Sequence, residues 1–579
     1  MASSSNRISS GSSKLLAALP CLIILLALLQ ILPFLLPATH DDLTESYEPA
    51  KTLRFLYTHG VAVHKWGPFP SLVFGPVYAC VLLAAKISGH LGKLTSEYPF
   101  GFDNAVLQMG HMLLAARTTV LLIGLLSVYY LCRTLQRTLN NRLAPVIALL
   151  LCLTTSLVFL EPLADTKPDG MMVSLLICAL ANYTAIVLEG ITVGTALGLA
   201  FFYVASLSCK ELTSTTLMLP YLGLLVAAVL ARRSNHQEGN RFLRLLVLSM
   251  AAVPVFYLLI NVVYAPHAWH DRIAYVFGPL KDPAAWAAPG QTAFSYLRDT
   301  VYAVIAALGW GGILMLALAL AGSIRKPSRT LLLLWLPFMG HLIFTTCLGG
   351  YMPTYFMLPL GPTLVLPASC VLAGWLKVPS EQLLAASRLS IATLCLSACC
   401  LFFALSATTL FTATHTDTLM QQAIQQQTSP GSTLDIVGLW SSDAEPTLGP
   451  DRRIIDSRPL YMIMLETQAH RPTYALIAID TETWIEEIPE RPARAALLKA
   501  DTNFDYTEFH NFNALGYQLT GVTKPVLPGW VFPALVAGSH AYLDNGVHVY
   551  RLQSSAISAQ QNHATTRGVK PPGNRGESN

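Results

Sequence analysis

Apolar residues gather along this chain in blocks close to 20 residues long, about what a helix needs to cross the hydrocarbon of a bilayer. Such blocks run over residues 15–37, 110–132, 143–160, 170–188, 192–208, 212–231, 243–264, 299–321, 330–348, 355–376 and 390–411. They predict an all-α polytopic membrane domain of about eleven transmembrane helices over 15–411, preceded by a polar N-terminus at 1–14. The first block is too long for a usual signal-peptide core and lacks a small-residue cleavage site, so it reads as a helix that stays in place. One further apolar stretch, 69–87, is interrupted by Pro70, Gly75 and Pro76. As a span it would move every later loop to the other side. It is therefore placed at the outer interface, as an amphipathic or re-entrant piece of a first outer loop at 38–109.

The connectors between blocks set the sides. With a cytoplasmic N-terminus, the inner loops hold Arg133, Arg137 and Arg142; Arg232, Arg233, Arg241 and Arg244; Arg325, Lys326 and Arg329; and Lys377 and Arg388. The outer loops hold Asp41 and Asp42, Asp165 and Asp169, and Lys210 with Glu211. Short basic loops belong inside, so the assignment is self-consistent.

After residue 411 the pattern shortens. Strand-like runs at 434–440, 474–480 and 547–552, with a helical stretch near 484–499 broken by Pro489 and Pro492, predict a small α/β domain over 412–555 on the outer side. Residues 556–579 are polar and turn-rich, which predicts disorder.

Composition agrees with this outline. Of 579 residues, 53% are hydrophobic and 12% charged, against about 25% charged in a soluble domain, and the mean hydropathy is +0.49. A net charge of +4 carries no nucleic-acid signature. The cysteines all lie at or before Cys400, so the C-terminal domain has no disulfide framework, and none has the paired spacing of a structural zinc site.

Against so little charge, His40-Asp41-Asp42-Leu43-Thr44-Glu45-Ser46-Tyr47-Glu48 stands out just after the first block. Acids beside a bilayer are costly to keep and point to function. On a helix, Asp41, Glu45 and Glu48 share one face, while Asp42 and Glu45 are three apart. Such carboxylates can deprotonate a hydroxyl or hold a divalent cation over a phosphate leaving group. The plain alternative is a solvated loop with an Asp at a helix start. Asp169 can act in the same chemistry or can satisfy free N–H groups at the start of the next helix. Lys210 and Lys65 can neutralise a phosphate as point charges, or can snorkel or pair locally, Lys210 with Glu211. The loop at 265–298 carries Trp269, Tyr275, Trp286 and Tyr296, which suit a headgroup belt better than a sugar-stacking platform.

These motifs carry a family resemblance. The layout resembles the GT-C superfamily of polytopic glycosyltransferases. The string HDDLTESYEPAKTLRF resembles the acidic motif that opens the first outer loop of its lipid-linked mannosyltransferases. His64-Lys65-Trp66-Gly67-Pro68 resembles the Glu-Lys-Pro-Pro element of the protein mannosyltransferase and aminoarabinose transferase families, with 69–87 where those families have an interfacial helix. Glu161–Asp169 and Ser206-Leu207-Ser208-Cys209-Lys210-Glu211 are similar to later family elements. The overlap covers roughly residues 15–230. Two departures stand out: His64 replaces the family's glutamate, and Pro353-Thr354-Tyr355-Phe356-Met357-Leu358-Pro359 lacks the arginine of a late motif. Arg54, Lys167 or Arg272 are the alternative sources of that positive charge.

The resemblance implies an inverting transfer from a polyprenyl-phosphate or dolichyl-phosphate sugar donor to a lipid, glycan or protein acceptor at the outer face. It casts Asp41 or Asp42 as general base and Asp169 as the residue positioning acceptor or cation. Lys65 and Lys210 bind the donor phosphate, with His64, Glu45, Glu48 and Asp165 in support. A divalent cation, held by Asp41, Asp42 and Asp169, is the one cofactor to consider. Membrane lipids are partners and nucleic acid is not. The expected location is a bacterial inner membrane with a periplasmic C-terminal domain, the endoplasmic reticulum membrane being the alternative. A secondary transporter or lipid flippase is the rival function, and a non-catalytic scaffold the third.

Overall fold

The computed structural model describes residues 5–32, 53, 67–95, 100–211, 214–263, 269, 292–347, 354–376, 383–414, 416–430, 432–437, 453–456, 473–479, 516–537, 543 and 545–553. Among these, nine helices are long and apolar enough to cross a bilayer, or ten if one bent pair is a single span, and two shorter apolar helices accompany them. The chain is an integral, multi-pass membrane protein. It divides into a helical unit, described up to residue 413 and including Leu527–Leu543, and a second unit over Thr414–Val526 and the residues from Asp544 on.

In the helical unit, α1 is Ser5–Leu28, α2 Phe69–Ile87, α3 Ala105–Thr138, α4 Ala144–Leu153, α5 Leu157–Leu160 and α6 Pro168–Glu189. They are followed by α7 Val193–Leu207, α8 Ser214–Ser234, α9 His236–Tyr257, α10 Ala293–Arg325, α11 Arg329–Cys347, α12 Leu360–Trp375 and α13 Leu383–Thr414. These bounds track the apolar blocks to within six residues, apart from α1, which starts and ends earlier, and α9 and α13, which start seven residues earlier. At the centre lies α6, apolar all round and buried on nearly every face. Parallel to it runs α3, with Ser127 meeting Cys178, Tyr130 meeting Asn182 and Arg137 meeting Glu189.

Helix α2 is one of the nine, and backbone hydrogen bonds tie the chain on either side of it. Its first residues are tied by backbone to the end of α7, Gly67 N–H donating to Cys209 C=O and Phe69 N–H to Ser208 C=O. The chain that follows it pairs with the residues leading into α3, through Gly92 N–H to Gly101 C=O and Asp103 N–H to His90 C=O.

The block at 143–160 is not one straight span: it bends by 96° between α4 and α5. Three hydroxyl residues in a row cause the break. Thr154 and Thr155 donate back to the carbonyls of Leu150 and Leu151, which loosens the helix they end, and Ser156 accepts from Phe159 N–H, which starts the next. Helix α10 breaks opposite, at Gly309 with φ 64. A side chain there would stand 2.1 Å from the Thr155 carbonyl oxygen, so only glycine allows both the backbone turn and the approach. Ser156 bridges the two breaks by donating to Ala306 C=O.

The second unit holds a five-stranded sheet in the order β2-β1-β3-β5-β4, with β1 Thr433–Val437, β2 Arg453–Asp456, β3 Tyr474–Ala478, β4 Tyr517–Thr523 and β5 Val547–Leu552. The first three strands are mutually parallel and β5 runs antiparallel to β3 and β4. Helix α14, Thr416–Gln427, lays Leu419, Met420, Ala423 and Ile424 against Leu434, Tyr474, Leu476, Val547 and Val549. The α/β character read from the sequence holds, and β2 and β4 are strands it missed. The expected helix near 484–499 lies outside the described residues.

Candidate functional site

Four segments meet where α6 begins. The chain enters through a 3₁₀ turn, Glu161–Ala164, set by Pro162. Lys167, preceding Pro168, is held extended, and Pro168 then opens the helix. This places Asp169 in the first turn, where the helix dipole favours an anion. Its carboxylate leaves the backbone and reaches across to Lys210, whose Nζ donates to Oδ1 at 2.8 Å and to Oδ2 at 3.1 Å. Both side chains are buried.

Lys210 sits in the turn after α7, and that turn is clamped on several sides. Ser206 Oγ donates to Met172 C=O on α6. Asn261, in the π-helical turn Leu258–Val263, donates from Nδ2 to Ser208 Oγ at 2.7 Å. From the other side comes Gly67, whose N–H binds Cys209 C=O. A Cβ at Gly67 would stand 1.8 Å from the Ser208 carbonyl oxygen, so glycine alone lets the two strands of chain touch. Gly67 and the 206–211 segment, far apart in sequence, are thus brought together.

The fourth segment is the 3₁₀ turn Thr354–Met357. The ring of Tyr355 lies 4.3 Å from Lys210 Nζ, and that of Phe356 5.8 Å away. In an apolar setting such an aromatic face adds up to about 2 kcal/mol to a cation. Beside this group, Asp165 accepts from Thr166 N–H at 2.6 Å and faces Lys167 Nζ at 3.6 Å. Lys210 is therefore held by an acid 41 residues away and by an aromatic ring in the late segment that lacks the family's arginine.

Asp41, Asp42, Glu45, Glu48, His64 and Lys65 lie outside the described residues, as do Arg54 and Arg272. Among the described residues, no group of three or more His, Cys, Asp or Glu side chains is placed to hold a metal ion. Of the loop aromatics, Trp269 donates to the Tyr257 hydroxyl, and Tyr296, already inside α10, donates to the Thr345 carbonyl.

Three residues belong with this site that the sequence reading passed over. Tyr355 was noted there only for the arginine missing beside it. Arg117 is fully buried within α3. It lies one turn before Val120, which packs at Gly170, and so sits at the level of the 3₁₀ turn and Asp165. His341, also fully buried, joins Thr216 of α8 to the Phe356 carbonyl. The available signal was an ionisable residue alone inside an apolar block, which is functional by default in a membrane.

No protein-family model matches the chain. No curated protein matches it either. Among solved structures it is similar to ArnT from Cupriavidus metallidurans in the apo state, at 14% identity and a TM-score of 0.47, over 94% of this chain and 98% of that one. It is also similar to the same protein bound to undecaprenyl phosphate, at 14% identity and a TM-score of 0.44, over 93% and 98%.

Proposed function

We propose that this chain is an integral-membrane glycosyltransferase that takes a sugar from a polyprenyl-phosphate or dolichyl-phosphate donor and passes it to a lipid, glycan or protein acceptor. The observation that carries the reading is the buried Asp169–Lys210 pair beneath Tyr355. Burying two charges costs several kcal/mol each, and apolar residues of the same volume commonly serve a fold as well or better. A bundle with apolar residues to spare has no structural need of the pair. A reaction that must hold a phosphate at the membrane does.

In this mechanism the acceptor oxygen attacks the anomeric carbon, and the bond from that carbon to the phosphate oxygen breaks with its electrons going to the lipid phosphate. Asp41 or Asp42 takes the acceptor proton as the new bond forms, work for which an ordinary carboxylate suffices. Lys65, two residues before Gly67, joins Lys210 in stabilising the charge growing on the departing phosphate. Arrival of that phosphate draws Lys210 away from Asp169, whose freed carboxylate then positions the acceptor or a divalent cation. Inversion at the anomeric carbon, an outward-facing site and a cytoplasmic N-terminus follow from the same reading.

A secondary transporter is the second reading, favoured by the nested breaks of α4–α5 and α10, since discontinuous helices line transporter binding sites. Against it, Asp169 and Lys210 stand on α6 and in the turn after α7, neither of which is a broken helix. The test uses purified protein with radiolabelled polyprenyl-phosphate sugars and membrane lipid or protein acceptors. Transfer by the wild type, lost in Asp41→Asn or in Asp42→Asn, is the expected result. Transfer that survives in both variants removes the general base, and substrate flux in liposomes without any transfer gives the chain to transport. Repeating the assay with a chelator decides whether a cation is required.

A further inference from the structure

His341 is a buried imidazole that the proposed reaction does not use, and both its ring nitrogens are committed. Nε2 lies 2.8 Å from the Phe356 carbonyl oxygen. A carbonyl can only accept, so Nε2 carries the hydrogen. Nδ1 lies 3.0 Å from Thr216 Oγ1 on α8. Thr345, one turn along α11, donates its hydroxyl to the His341 carbonyl. The imidazole is thus a strut from α8 to the 3₁₀ turn Thr354–Met357.

That turn is the one that lays Tyr355 over Lys210. Tyr355 and Phe356 are adjacent, their rings edge to face with centroids 5.1 Å apart. The carbonyl that His341 holds belongs to the residue next to the capping tyrosine. A shift of that peptide moves the ring that lies 4.3 Å from Nζ.

We propose that His341 is a positioning residue for the Lys210 site, pinning the Phe356 carbonyl so that Tyr355 stays over the lysine. Its role rests on the glycosyltransferase reading only in what Lys210 binds; that His341 holds the cover in place can be read without any activity. The side-chain amide nitrogen of glutamine reaches the place of Nε2, whereas that of asparagine reaches only the place of Nδ1. His341→Gln therefore keeps the strut and His341→Asn removes it, at nearly constant polarity.

The experiment acetylates purified full-length protein with isotopically labelled acetic anhydride and follows Lys210 by mass spectrometry, with exposed Lys93 as the internal standard. Modification of Lys210 should be slow in the wild type and in His341→Gln, and about tenfold faster in His341→Asn and in Tyr355→Leu. Equal rates in wild type and His341→Asn, with Tyr355→Leu accelerated, overturn the proposal. In transfer assays His341→Asn should raise the donor KM with little change in kcat or in the acceptor KM, and His341→Gln should restore it. A wild type that transfers from no polyprenyl-phosphate donor, while the acetylation contrast holds, defeats the glycosyltransferase reading and leaves the strut standing. Should His341→Asn fail to fold, Thr216→Val removes the hydroxyl at the strut's other end. Its expected acetylation rate lies between those of wild type and Tyr355→Leu, and a rate equal to the wild type's then counts against the proposal.

Discussion

Helix α6 carries an acid in its first turn and another in its last, each bound to a cation from elsewhere in the bundle. Asp169 binds Lys210 with side chains 6% and 5% exposed. Glu189 binds Arg137 at 2.9 Å with side chains 40% and 64% exposed. The second pair is an ordinary surface bridge, worth about 0–1 kcal/mol and weakened by salt. It sits among Arg133, Arg137 and Arg142, where Arg133 and Gln136 fasten α1 through Ser13. The first pair is shut away from water, roofed by an aromatic ring and clamped by three other chain segments. One helix thus separates a fastening end from an end built to hold charge out of solvent. On the proposed function, charge that costs the fold something and gains it little is kept for chemistry.

The comparison can be broken most forcefully at the buried end. Asp169→Asn or Lys210→Met alone leaves an uncompensated buried charge, for which about 3–5 kcal/mol of destabilisation is expected, read as a lowered unfolding temperature in detergent. Gly67→Ala should come next. Its methyl group has nowhere to stand beside Ser208, and overpacking of this kind costs about 1–3 kcal/mol, with donor KM raised as the 206–211 turn is pushed off α6. Tyr355→Leu should cost up to about 2 kcal/mol of cation binding, up to roughly thirtyfold in donor KM, while Tyr355→Phe should sit close to the wild type. Smallest of all, Arg137→Ala should change stability by about 1 kcal/mol or less and leave transfer untouched. A large effect there would erase the contrast between the two ends of α6.

Most of the helical architecture was legible because a bilayer imposes one dominant rule, apolar length, and the blocks obeyed it. The bend at Thr154-Thr155-Ser156 was written in the sequence too, as three adjacent hydroxyls, but inside an apolar block its local effect is masked by overall hydropathy. In the second unit β3 and β5 alternate or run apolar and were found. By contrast, β2 is only four residues and β4 carries polar Gln518, Thr520 and Thr523, so neither rose above its surroundings. At the site, Asp169 and Lys210 could each be named from the sequence, whereas their pairing could not. A contact across 41 residues leaves no periodic trace. Arg117, Tyr355 and His341 were overlooked for a related reason, since each stands among apolar neighbours and its importance comes from what it meets in space.

The most direct measurement is sugar transfer by the double variant Asp169→Asn/Lys210→Met, made beside its unfolding temperature. If the pair is kept for chemistry, joint removal restores most of the stability that either single variant loses, because no lone charge stays buried. Transfer from a polyprenyl-phosphate sugar nevertheless remains at least about a hundredfold down, the loss expected when preorganised charge is taken from a transition state. A double variant that transfers at the wild-type rate would contradict the account.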